Sequence, residues 1–273
     1  MQMREILDSG DAVRLAELLA GEPGLATARM ERSCDHPGGT SPLGYVAMLR
    51  YDTSRGEWRD VTGTDELARA LLAAGAPVDG DPGEPETPLI TAASYGDAAV
   101  ARVLIEAGAD LEARAANDSG GVPGGTALLH AAVFGMTDVV DVLVAAGAHV
   151  DGIEEAAAAG DVGRWLGDGS ADARVRALVM AADHQRLDVI DALVSAGTPV
   201  DDVDPTFGGQ PLRTAASNGR PASVRRLLAH GADPNLRDEQ GRAPLELCRA
   251  GTTPGHRETE AILAPLADTA RGA

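Results

Sequence analysis

One five-residue phrase recurs at five places in the chain: Gly75-Ala76-Pro77-Val78-Asp79, Gly108-Ala109-Asp110-Leu111-Glu112, Gly147-Ala148-His149-Val150-Asp151, Gly197-Thr198-Pro199-Val200-Asp201 and Gly231-Ala232-Asp233-Pro234-Asn235. The glycines stand 33, 39, 50 and 34 residues apart. A period in this range constrains the fold more than any other property. Each period is one supersecondary unit that cannot bury its apolar face alone and must stack on its neighbours. Each phrase has the chemistry of a helix stop, because Gly takes the left-handed conformation past the last turn and the Pro or Asp that follows resists continuation. Ahead of the phrases stand amphipathic stretches such as Val100-Ala101-Arg102-Val103-Leu104-Ile105, with apolar residues at helical spacing.

A second phrase opens the units: Thr87-Pro88-Leu89-Ile90-Thr91-Ala92-Ala93 and Gln210-Pro211-Leu212-Arg213-Thr214-Ala215-Ala216, with 126–132 a close variant. Thr caps a helix and Pro suits its first turn, where no backbone donor is missed. The Ala pair lets helices approach closely, and Gly96, Gly135 and Gly219 then break the run. Each unit therefore reads as helix, tight turn, helix, extended loop.

The two phrases, in this order and spacing, resemble the ankyrin repeat, whose unit opens with Thr-Pro-Leu-His-x-Ala and closes with Gly-Ala-Asp. The resemblance spans residues 40–250 and implies an all-α ankyrin repeat solenoid of stacked helix-turn-helix units. The family's His is absent, replaced by Ile90, Leu129, Val179 and Arg213, and His130 sits one place later. A single domain is expected over 1–273. It divides into an N-terminal capping helical pair (1–39), a first repeat (40–85) with an insertion at 50–63, repeats at 86–125 and 126–152, a shortened unit at 153–170, repeats at 175–208 and 209–241, and a C-terminal cap and tail at 242–273. The 39-residue interval is accounted for by a lengthened finger at 117–125. The insertion brings Tyr51, Trp58 and three arginines. Trp58 is expected to anchor the insertion, and Trp165, which aligns with Leu15, to be core.

Lys plus Arg number 23 against 42 Asp plus Glu, a formal charge of -19. Phosphate recognition needs clustered cations, and the chain has no basic run, so no nucleic acid and no anionic membrane is expected as a partner; a basic protein suits the field. No segment approaches the roughly 20 apolar residues of a membrane span, and the first residues do not read as a signal peptide. A cytoplasmic location follows as the expectation. Cys34 and Cys248 lie at opposite ends of the array and are expected to be reduced thiols. No His-Glu-x-x-His, phosphate-cradling loop, nucleophile elbow or paired cysteines appears, so no catalytic residue, metal or cofactor is expected.

Counting from the Ala pair gives two positions per unit that the ankyrin resemblance assigns to partner contact in the concave groove. They are Met48 and Leu49, Ser94 and Tyr95, Val133 and Phe134, Ala158 and Ala159, Asp183 and His184, and Ser217 and Asn218. Tyr95 and Phe134 fall at equivalent places of adjacent units in a chain poor in aromatics. Tyr51, Trp58 and Arg59 are candidate contacts from the insertion. His130 falls in the row that the resemblance points into the stack, and a buried, hydrogen-bonded ring is expected. The leading function is a noncatalytic protein-protein interaction module acting as a monomer. The alternative is a small-molecule binder or unusual enzyme whose pocket is formed by the groove and the insertions. A self-associating scaffold is disfavoured by the charged C-terminal pair.

Overall fold

The computed structural model describes residues 2–30, 39–52, 57–59, 61–167 and 169–267. Cys34 and Arg55 lie outside them. The chain divides into two compact units, one ending at His149 and the other beginning at Val150. The division falls directly before the segment from which one helix of the pair is missing.

In the first unit α1 (Gln2–Ser9) and α2 (Ala12–Gly21) form the opening pair, followed by α3 (Pro42–Ala47), α4 (Thr64–Ala73), α5 (Pro88–Ser94), α6 (Ala98–Glu106), α7 (Ala127–Val133) and α8 (Thr137–Ala145). The helices stack in two rows: α3, α5 and α7 make an inner row, and α2, α4, α6 and α8 an outer one. Between α3 and α4 the insertion folds as a two-residue hairpin, β1 (Tyr51–Asp52) antiparallel to β2 (Glu57–Trp58), with Tyr51 opposite Trp58.

The second unit opens with α9 (Ile153–Ala159), after which residues 163–167 form turns where an outer helix would stand. There follow α10 (Ala171–Asp183), α11 (Leu187–Ser195), α12 (Pro211–Ser217), α13 (Pro221–Ala229), α14 (Pro244–Cys248) and α15 (Pro254–Leu263). Here α9, α10, α12 and α14 form the inner row and α11, α13 and α15 the outer one.

The opening phrases work as helix starts. Thr87 Oγ1 accepts the Ile90 N–H at 3.2 Å, Thr126 Oγ1 the Leu129 N–H at 3.3 Å, and Gln210 Oε1 the Arg213 N–H at 2.8 Å. Each relieves a backbone donor that the first turn leaves unpaired. The Ala pairs at 92–93, 131–132, 181–182 and 215–216 are at most 1% exposed, so neighbouring inner helices meet on methyl groups. Leu71, Leu104, Leu143, Leu193 and Leu227 are fully buried on the outer helices. Each such burial contributes about 2 kcal/mol before chain entropy is counted.

The closing phrases stop the outer helices through one repeated bond. The amide after each left-handed glycine donates to the carbonyl five residues back: Ala76 to Leu71, Ala109 to Leu104, Ala148 to Leu143 and Thr198 to Leu193, each 3.0 Å, and Ala232 to Leu227 at 3.1 Å. The glycines have φ between 86° and 95°, which a Cβ would penalise. The acid that ends one phrase accepts the amide of the third residue of the next: Asp79 from Asp110 at 2.9 Å, Glu112 from His149 at 2.9 Å and Asp201 from Asp233 at 3.1 Å. Consecutive loops are thereby tied to each other as well as to their helices.

Candidate binding site

The residue pair after each inner helix of the first unit is carried by a short, capped element, so its side chains are aimed by helix geometry. Ser94 is the last residue of α5 and Tyr95 follows it; Val133 ends α7 and Phe134 follows. Tyr95 stacks on Tyr51 of the hairpin, with ring centroids 5.7 Å apart and planes 22° apart, and Trp58 meets Tyr51 edge-on at 5.1 Å. Phe134 is 41% exposed. Together Tyr51, Trp58, Tyr95 and Phe134 line a cavity of about 890 Å³ whose opposite wall is the finger at 118–121.

The finger is held by backbone contacts. The Ala116 N–H donates to the Pro85 carbonyl at 2.7 Å and the Ala115 N–H to the Gly125 carbonyl at 2.9 Å. Gly121 and Gly125 lie flat against the His130 ring: a Cβ on Gly121 would stand 2.7 Å from Cε1, and one on Gly125 would stand 3.1 Å from Cδ2. His130 is fully buried, with Nε2 3.0 Å from the Val122 carbonyl and Nδ1 2.8 Å from Ser94 Oγ. A carbonyl only accepts, so Nε2 carries the proton. Burial holds the imidazole pKa below its usual 6.5, against the opposing pull of the Val122 carbonyl. In the neutral ring Nδ1 is an acceptor, so it and the Ile90 carbonyl, 3.0 Å from the same hydroxyl, are the two acceptors available to the Ser94 O–H. His130 is the link that positions the finger over the cavity.

A family model described as ankyrin repeats in three copies matches residues 61–153, and one described as ankyrin repeats in many copies matches 193–248, together more than half of the chain. The chain belongs to the ankyrin repeat family. A curated relative, the E3 ubiquitin-protein ligase Ufd4 of Drosophila melanogaster, is 52% identical over 52 residues, which make up 19% of this chain and 2% of that protein. The chain thus spans a very small part of that relative's length. The crystal structure of the human ASB11 ankyrin repeat domain aligns with 97% of each chain at 23% identity and a TM-score of 0.45.

Five of the positions that the ankyrin pattern assigns to the groove are buried and not presented for contact: Met48, Leu49, Ala158, Asp183 and His184. Leu49 is 2% exposed, because the chain turns into the hairpin directly after α3. His184 is also 2% exposed. Asp183 is buried and spends its carboxylate within the array: Oδ1 accepts from Asn218 Nδ2 and from Arg220 Nε, each at 3.0 Å. Ser217 and Asn218 are exposed. Arg59 is turned away to Asp8, at 3.5 Å, where Tyr45 also donates at 2.7 Å.

The two tryptophans differ from expectation. Trp58 is 58% exposed and packs on Tyr51 rather than into the helices. Trp165 lies half-buried in the turn at 163–167 under the Arg164 guanidinium, 4.9 Å from its ring, because the outer helix that would have placed it in the core is absent. His130 has the buried, hydrogen-bonded place that its position in the repeat implied. The ankyrin pattern gave no notice of Ser119, a cavity residue only 8% exposed whose hydroxyl has no hydrogen-bond partner among the described residues. Among the described residues no helix is long and apolar enough to cross a membrane, and no group of His, Cys, Asp or Glu is set to hold a metal ion.

Proposed function

We propose that this ankyrin repeat chain is a noncatalytic interaction module that holds a partner protein along the groove side of its inner helices, with the aromatic cavity of the first unit as the anchoring point. Ankyrin repeats are generally protein-interaction modules, and the family membership supports the coarse part of this reading. One observation supports the finer part: four of the chain's seven aromatic residues line one cavity on that side. Rings presented on capped helices give a large contact area with little freedom left to lose, which favours binding anchors. The formal charge of -19 favours a basic partner, met by a cytoplasmic monomer.

The test is retention of a partner from native cell lysate by the wild-type chain and by a Tyr95→Ala/Phe134→Ala variant with an unchanged thermal midpoint. The expected result is a retained protein that binds the variant at least about tenfold more weakly, a loss of about 1.4 kcal/mol. Equal retention by both removes the cavity from the reading. The cavity volume also lies in the range of small-molecule sites, roughly 300–1,000 Å³. A chain that purifies with a small molecule released by the same variant would transfer the site to that class of ligand.

A further inference from the structure

A cavity of the second unit holds a charge that the chain leaves unanswered. It has a volume of about 580 Å³ and lies over the start of α12, between the loops at 203–210 and 237–242. Arg213 forms part of its wall and is only 8% exposed. Other units carry Ile90, Leu129 and Val179 at this position, so the guanidinium stands where the repeat otherwise places an apolar side chain. The Arg213 backbone N–H is taken by Gln210 Oε1, but the guanidinium makes no hydrogen bond or ion pair among the described residues. None of its nitrogens is sealed from solvent. A buried Arg is ordinarily paired, and one without a partner gives up hydration for nothing in return.

The other charges on the wall are committed or screened. Arg237 Nη1 donates to the Gly241 carbonyl at 2.6 Å and to Glu246 at 3.3 Å, and Arg242 Nε donates to Asp238 Oδ2 at 2.8 Å. Asp238 Oδ1 is taken by the amides of Gln240 and Arg242. Glu239 is exposed, where water weakens its field. The hydroxyls of Thr214 and Ser217, one turn apart on α12, belong to cavity residues and are not hydrogen-bonded among the described residues.

We infer that this cavity receives the carboxylate of an acidic side chain of the partner. The inference rests on the reading that the groove side binds a protein, since Ser217 belongs both to the groove row and to the cavity wall. A guanidinium presents a planar fork that a carboxylate fills with two parallel bonds, and the two hydroxyls can donate to its remaining lone pairs. A cation meets Arg213 with like charge, and an apolar group leaves it desolvated and unpaired. The formal charge of -19 repels a free anion, so the carboxylate has to arrive on a body held by other contacts, as a side chain of a bound protein is. A partner that is basic overall can carry it.

The experiment titrates the full chain with N-acetyl-glutamate methylamide and with the neutral glutamine compound, at matched ionic strength, followed by amide NMR. The glutamate compound should shift Gly209, Thr214, Ser217 and Gln240 saturably, and the glutamine compound should bind at least about tenfold more weakly. Arg213→Leu, which installs the residue found at position 129, should abolish that preference and keep or raise the thermal midpoint, because it removes a buried charge without a partner. Equal binding of the two compounds, no saturable shift at these residues, or a preference that survives in Arg213→Leu overturns the inference. In partner capture, Arg213→Leu should weaken retention at least about tenfold. Retention that depends on Tyr95 and Phe134 but not on Arg213 overturns the inference and leaves the binding face standing. Retention that depends on Arg213 but not on the two rings supports it and removes the aromatic cavity from the reading.

Discussion

At the residue scale His130 is the most informative side chain. Its ring is neutral because burial opposes the charged form, while an unfolded chain would protonate it near 6.5. Below that pH the unfolded state binds the extra proton and the folded state does not. The contribution of His130 is therefore fully present above pH 6.5 and is lost as pH falls through the interval beneath it, at up to about 1.4 kcal/mol per pH unit. A His130→Gln variant should be less stable than wild type at pH 7.5 by about 1 to 3 kcal/mol, from the lost Ser94 and Val122 bonds. Its urea midpoint should fall less than that of wild type between pH 7 and 5.5. Parallel pH profiles for the two proteins would show that His130 carries no such linkage. The repeat register already placed this His in the stack. Its two partners were not legible, because the Val122 carbonyl belongs to a finger outside the repeat pattern.

At the scale of elements, the turn between α10 and α11 departs from its equivalents. Gly96, Gly135 and Gly219 occupy this turn with φ from 62° to 71°, and Gln185 stands in their place with φ of 54°. A side chain in the left-handed region costs about 1 to 2 kcal/mol, partly offset by the smaller entropy that Gln loses on folding. Gln185→Gly should therefore stabilise the chain by about 1 kcal/mol, read as a higher thermal midpoint; a lower midpoint would reveal a compensating role for the Gln side chain. Helix starts and stops were legible here because their causes are local: Thr or Gln beside a first turn, Gly after a last one. The groove row was legible as positions and not as exposure. Leu49 and Asp183 are buried by what neighbouring elements do, the hairpin after α3 in one case and Asn218 with Arg220 in the other. Each phrase as a whole was read as a helix stop, with no separate role for the acid that closes four of the five. The acid's bond to the next phrase depends on the stacking distance between units, which a single sequence does not encode.

At the scale of the whole molecule, the repeat period announced the array, and the 50-residue interval announced its irregularity. The turn at 163–167 interrupts the outer row of the second unit, whose first member is α11. Stability in stacked repeats is a sum of unit and nearest-neighbour terms, so a missing helix is a weak place in the chain of cooperativity. Trp58 lies in one compact unit and Trp165 in the other. Urea unfolding followed by tryptophan emission in Trp58→Phe and Trp165→Phe variants should give different midpoints for the two units, whereas coincident curves would show one cooperative block. The finger wall of the cavity touches His130 through glycines, Gly121 and Gly125, and joins the preceding loop through main-chain atoms at Ala116 and Pro85. The side chains of Asp118 and Ser119 take no part in these contacts. Drift there can alter what the cavity accepts while the framework is inherited unchanged, and a designer seeking a new specificity has a few adjacent codons in which to look for it.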